Sequence, residues 1–182
     1  MRNIFIDLGC YDGDTVEEFR NWSKVAFPDR SDWKIYAFDP NPKFKHNWKK
    51  KSNDNTFFEQ SAAWIKDGEI EVAIDQTDTP RGTTVMPGKV AIWDNFPHII
   101  VKCFDFSKWI EKFKDDFLVV KMDAEGAEFP ILEKMIRDGT DKLVDRLMVE
   151  FHPNKVREYT TTYKNDLIQR LQHRGVDIKE WH

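Results

Sequence analysis

A chain of 182 residues with 40% hydrophobic and 14% aromatic content is long enough to bury a full core as one domain. Its net charge of -4 provides no basic face for phosphate neutralisation, which excludes a general nucleic-acid binder. Cys10 and Cys103 are too few for a disulfide framework, and no apolar run reaches bilayer length or forms a leader, so a soluble, cytoplasmic protein is expected, with no membrane partner.

Ile4-Phe5-Ile6 is an apolar β-type run ending at Asp7, and Gly9 and Gly13 follow before a helix begins. Strand, glycine loop and helix in that order let backbone approach a cofactor closely, because glycine lacks a Cβ and accepts unusual φ/ψ. The spacing D-x-G-x-x-x-G differs from the G-x-G-x-x-G of dinucleotide binders, which disfavours a nicotinamide oxidoreductase. Asp14-Thr15-Val16-Glu17 has the form of a capping box and predicts a helix over 14–24, broken at Phe27-Pro28-Asp29. Residues 33–38 read as a buried strand closed by Asp39-Pro40-Asn41-Pro42, where proline ends pairing and starts a new helix. The basic stretch from Lys43 to Lys51 reads as a solvated helix face running into a loop. Residues 56–63 predict a third strand, Lys66-Asp67-Gly68-Glu69 a turn, and 70–74 its hairpin partner.

Residues 75–97 hold three prolines, two glycines and no clean periodicity, which predicts a long loop acting as a lid over a ligand. A strand over 99–104, a helix over 107–113 and an apolar strand over 117–122, ending in Asp123, come next. Residues 127–138 have helical spacing with Gly139 where a C-cap belongs, and a strand over 143–151 ends in Glu150-Phe151-His152-Pro153. A helix over 163–173, ended by Gly175, precedes a last strand over 176–181. Strands alternating with helices predict an α/β fold, a doubly wound and mostly parallel sheet, in a single domain over 1–182.

In such a sheet ligands bind beyond the carboxyl ends of the strands, near the reversal of strand order. Asp39 at one strand tip can accept hydrogen bonds from both ribose hydroxyls of an adenosine; it equally suits the N-cap of the helix that follows. Alternation sends Lys121 and Asp123 to one face of their strand, and a lysine ending the run Phe117-Leu118-Val119-Val120 needs a carboxylate partner. That pair either serves a site or merely fastens strand to helix.

These segments resemble the FkbM-type S-adenosylmethionine-dependent methyltransferases. The resemblance rests on Asp7-Leu8-Gly9 through Gly13-Asp14-Thr15, on Asp39-Pro40-Asn41-Pro42, on Lys121-Met122-Asp123-Ala124-Glu125-Gly126-Ala127-Glu128, and on Glu150-Phe151-His152. The third is the most specific, close to the family's K-I-D-x-E-G-x-E. The resemblance implies a class I methyltransferase-like (Rossmann-like) fold, S-adenosylmethionine as cofactor, and methylation of a hydroxyl on a sugar or small-molecule acceptor. Carried onto this chain, it implies cofactor contacts at Asp7, Gly9, Cys10, Tyr11, Gly13, Thr15, Asp39, Pro40, Ser61 and Ala62, and catalytic roles for Lys121, Asp123, Glu125 and His152. His152 is expected as the base, with Asp123 and Glu125 orienting the acceptor or Asp123 taking the proton itself, and Lys121 holding the carboxylates. His152 before Pro153 also suits a turn cap.

Two alternatives stand beside this reading. Asp123, Glu125, Glu150 and His152 are ligand types that Mg²⁺ or Mn²⁺ accepts, and a metal lowers the pKa of an acceptor hydroxyl directly. A non-catalytic binding or assembly protein of the same fold is the rival from another class. The chain also departs from the family, with Cys10-Tyr11 in place of Ala-Asn and with Asp12. Only 176–181 follows the last helix, which predicts a shortened C-terminal strand region in place of an antiparallel pair.

Overall fold

Apolar alternation builds a sheet with a core on each face, in a computed structural model that describes residues 1–77, 81–89 and 93–181. In β1 (Asn3–Leu8), Ile4, Ile6 and Leu8 enter one core while Phe5 enters the other. In β7 (Phe117–Met122), Leu118, Val120 and Met122 join the first core and Val119 the second. The remaining strands of this sheet are β2 (Lys34–Phe38), β3 (Thr56–Glu59), β8 (Arg146–Val149) and β9 (Ile178–Glu180). Their order is β3-β2-β1-β7-β8-β9, and every pairing is parallel. Strand order therefore reverses at the β1/β7 junction, as a doubly wound α/β fold requires.

Helix α1 (Asp14–Ala26) covers the Phe5 face, where Phe19 stacks on Phe5 with ring centroids 3.6 Å apart. Its expected capping box does not form. Gly13, at φ +89°, takes the N-cap position without a side-chain bond, and Asp12 Oδ1 accepts from the Asp14 amide instead. The short α2 (Lys45–Lys51) buries Trp48 and leaves Lys49 and Lys50 exposed, a solvated basic face.

The expected strand over 56–63 is two strands in two sheets. β3 stops at Glu59, the chain turns through Gln60 and Ser61, and β4 (Ala62–Trp64) leaves for a second sheet. The expected hairpin over 70–74 is also corrected. β5 (Gly68–Ala73) pairs antiparallel with β6 (His98–Asp105), and β6 in turn lies parallel to β4, giving the order β4-β6-β5. Between β5 and β6 the described residues contain no named helix or strand, and residues 78–80 and 90–92 of the expected loop lie outside the described residues. The second sheet packs into the Ile4 core with α3 (Phe106–Ile110), α4 (Glu128–Asp138) and α5 (Thr161–His173). Among the described residues α5 is followed by β9, which pairs parallel with β8. Among the described residues no helix is long and apolar enough to cross a membrane.

Gly9 makes the strand-order reversal possible. It sits at φ +76°, and a Cβ built there would lie 1.7 Å from the Asp123 carbonyl oxygen. Gly139 has nearly the same backbone, φ +79°, with open space around it. Gly139→Ala should cost about 1 kcal/mol, the strain of a left-handed residue alone. Gly9→Ala adds a backbone collision and should cost about 2 kcal/mol more than that. Urea unfolding of the two variants checks this, and equal losses would show that the close approach does not constrain the fold.

Candidate functional site

A cavity of about 360 Å³ opens at the carboxyl ends of β1 and β7, a size that suits a small ligand. Gly9, Tyr11, Thr15, Asp39, Pro40, Ser61 and Ala62 line it, as do Lys121, Asp123 and Glu125. Four other residues named from the sequence do not. Asp7 lies fully buried beside Lys121, its neighbour in the β1–β7 register. Cys10 points into the α1-side core, where burial drives its thiol pKa well above the ordinary value. Gly13 packs on β3, since a Cβ there would meet the Phe58 ring at 2.9 Å. His152 stands behind the acids, only 3% exposed.

Asp39 is held by the loops on both sides of it. Its Oδ2 accepts from the Tyr11 amide at 3.0 Å and its Oδ1 from the Asn41 amide at 2.8 Å. Tyr11 pays for this bond with a left-handed backbone, φ +51°. The N-cap of the following 3-10 turn is Asn41, whose side chain accepts from Lys43, so Asp39 is not the cap. Burial pushes the Asp39 carboxyl up to about 7, against the opposing pull of its two amide bonds and Lys121.

Beyond β7 the charges interlock. Lys121 Nζ donates to the Gly9 carbonyl at 2.9 Å and lies 3.3 Å from Asp7 and 3.6 Å from Asp123. Burial opposes its charge, but Asp7 and Asp123 outweigh burial and hold its pKa above the lysine norm. Asp123 Oδ1 is buried with no hydrogen-bond partner among the described residues, 3.8 Å from His152 Nε2. Burial raises the Asp123 carboxyl above the usual aspartate value, against Lys121 and His152.

Glu128, fully buried at the start of α4, organises the other half. Its Oε2 accepts from the Gly126 amide and its Oε1 from the His152 amide, both at 2.7 Å, and His152 Nδ1 lies 3.2 Å from Oε1. His152 Nε2 faces Glu125 at 3.5 Å and Glu150 at 3.7 Å. Burial lowers the imidazole pKa, yet the Glu128 bond and the charges of Glu128, Glu125 and Asp123 carry it above the ordinary histidine value. Glu125 takes a left-handed backbone, φ +52°, pinned by Thr84 Oγ1 donating to its carbonyl at 2.8 Å. The buried Lys89 donates to Glu125 Oε2 and to the Gly82 carbonyl.

Asp123, Glu125 and His152 each offer a ligand atom within 4.8 Å of the others, the spacing of a metal site, although Lys89 already holds one Glu125 oxygen. Within the described part of the expected lid, Thr83 and Thr84 line the cavity, and Thr84, Val85, Met86 and Lys89 are buried. Sequence reasoning missed the roles of Glu128 and Lys89. Glu128 lies within the third motif, and Lys89 lies in an aperiodic loop whose sequence singles out none of its residues. Asp12, noted in the sequence as a departure from the family, lines the cavity, and Glu18 and Trp181 line it unforeseen.

Residues 7–178 match the methyltransferase FkbM domain. No curated protein and no solved structure matches the chain.

The Glu128 bonds yield a stability test. Glu128→Ala strips acceptors from two buried amides and leaves the buried His152 Nδ1 without its carboxylate partner, so it should lose about 3–5 kcal/mol in urea unfolding. A variant as stable as the parent would remove Glu128 as the organiser of this cluster.

Proposed function

The chain belongs to the FkbM methyltransferase family, and from that premise we propose that it uses S-adenosylmethionine to methylate a hydroxyl on a sugar or other small acceptor. The observation that carries this reading is one cavity, at the β1/β7 reversal, lined both by Asp39 and by Asp123 and Glu125. The lining fits the cofactor. Ser61 Oγ lies buried there with no partner among the described residues, and each Asp39 oxygen keeps a lone pair beyond its amide bond for a ribose hydroxyl. Among the charged lining residues acids outnumber cations, which suits a ligand bearing sulfonium and ammonium charges.

When bound, S-adenosylmethionine supplies a methyl group activated by its sulfonium sulfur. Asp39, Ser61 and the Tyr11 loop hold it, while Asp123 and Glu125 face the acceptor. Asp123 is the base in this reading, because burial strengthens its affinity for a proton. His152 does not line the cavity, so it acts through Asp123 and Glu125 as a cation that keeps the acids in place. Lys121 does the same from the Asp7 side. The metal reading keeps one supporting observation, the mutual spacing of Asp123, Glu125 and His152, and loss of activity on chelation with recovery on added Mg²⁺ or Mn²⁺ would favour it.

Two outcomes test the proposal. Only ionised Asp39 accepts hydroxyl bonds at both oxygens, and its pKa in the free protein lies at about 7. Affinity for S-adenosylhomocysteine, measured by calorimetry, should therefore rise roughly tenfold from about pH 6 to about pH 8. Asp39→Asn should bind more weakly and lose this dependence; a parent protein with flat affinity would remove the ribose assignment.

The second outcome concerns turnover. Asp123→Asn should bind S-adenosylhomocysteine within about threefold of the parent, yet slow methyl release by roughly 10²–10⁴ over a panel of sugars and small hydroxyl compounds. Parent-like turnover in this variant would leave positioning alone to explain the reaction. A parent that binds the cofactor product but methylates nothing on the panel would favour the non-catalytic rival.

A further inference from the structure

Charge sorts the cavity lining unevenly. Its acids include Asp12, Glu18, Asp39 and Glu150, whereas its cations among the described residues are Lys121 and Arg81. Lys121 is committed to Asp7, Asp123 and the Gly9 carbonyl. Arg81 has no carboxylate within ion-pair distance among the described residues, and its guanidinium lies 5.9 Å from the centre of the Tyr11 ring. Among the described residues it is thus the cavity's cation without an ion-pair partner.

The backbone that carries Arg81 is anchored next to the proposed ribose acid. The Gly82 amide donates to Asp75 Oδ2 at 2.9 Å. Thr83 Oγ1 accepts from Asn41 Nδ2 and from the Asp75 amide, both at 3.1 Å. Thr84 exchanges backbone bonds with Ala73 at 2.9 and 3.0 Å. Asn41 in turn donates its own amide to Asp39. One set of bonds therefore ties the Arg81 segment to Asp39 and to the end of β5.

Resting on the S-adenosylmethionine reading above, we propose that Arg81 binds the α-carboxylate of that cofactor. At neutral pH S-adenosylmethionine carries two cationic centres, the sulfonium and the ammonium, and a single anion. A lining rich in acids with one free guanidinium is the charge complement of that pattern. A guanidinium also presents a planar fork that meets a carboxylate with two parallel bonds, which makes it the side chain suited to this task. Tyr11 flanks it, so the loop that holds Asp39 also borders Arg81.

The test removes each partner in turn and needs no acceptor. Affinities of the parent, Arg81→Gln and Arg81→Lys for S-adenosylmethionine and for its decarboxylated analogue are measured by calorimetry. The parent should prefer the carboxylated form by about tenfold or more, the value of a charge-assisted bond. In Arg81→Gln the preference should collapse to within about threefold, with the analogue bound as by the parent; Arg81→Lys should keep part of it. A parent that binds both forms equally, or a glutamine variant that keeps the full preference, overturns the assignment. A parent that binds neither form overturns the cofactor reading itself, and this inference with it.

Discussion

Lys121 is an ammonium buried where two parallel strands end side by side, and the site is arranged around it. A lone buried cation is strongly disfavoured, so the fold must bring carboxylates to it, and it does so from both strands: Asp7 from β1 and Asp123 from just past β7. The same ammonium also takes the Gly9 carbonyl, which locks the glycine loop to the end of β7. Gly9 answers with the missing Cβ that lets the Asp123 backbone come into contact. The reversal of strand order, a topological property, is thus fastened by one ion group and one absent methyl.

Outward from Lys121 the charges alternate in sign. Asp123 and Glu125 follow, then His152 and Lys89, then Glu128 and Glu150 around the imidazole. In such a network each charge is held by neighbours of the opposite sign, so moving one side chain disturbs the others. The wall that supplies Lys89 and Thr84 also supplies Arg81 and Thr83, which reach toward Tyr11 and Asn41. The Asp39 side of the cavity and its Glu125 side are therefore braced by a single stretch of chain.

Strand ends were the most legible part of the sequence. An apolar run closing on Asp7, Asp39 or Asp123 announces both a buried strand and its polar tip, and all three tips stand around the cavity or just behind it. The break within 56–63 was not legible because the polar stretch Glu59-Gln60-Ser61 lies between Phe57-Phe58 and Ala62-Ala63 with no glycine or proline to mark it. The partner of β5 was not legible either. The turn at 66–69 signals reversal, but nothing local says that β6, from well beyond the long loop, inserts between β4 and β5. Glycine positions are visible in the sequence, whereas the packing behind them is not: a Cβ at Gly9 would meet Asp123 and one at Gly13 would meet Phe58. The burial of His152 depends on Glu128, across two elements, and is a property of packing alone.

The parallel β1–β7 pair also sets an order of assembly. Lys121 and Gly9 are 112 residues apart in the chain, so their bond closes a long loop whose entropy is spent before the contact returns anything. During synthesis β1 emerges first and finds β2 early, yet its other edge stays open until residues 117–122 have left the ribosome. The ligand cavity is then a late product of folding, and a nascent chain that stops short of β7 has the glycine loop without the site.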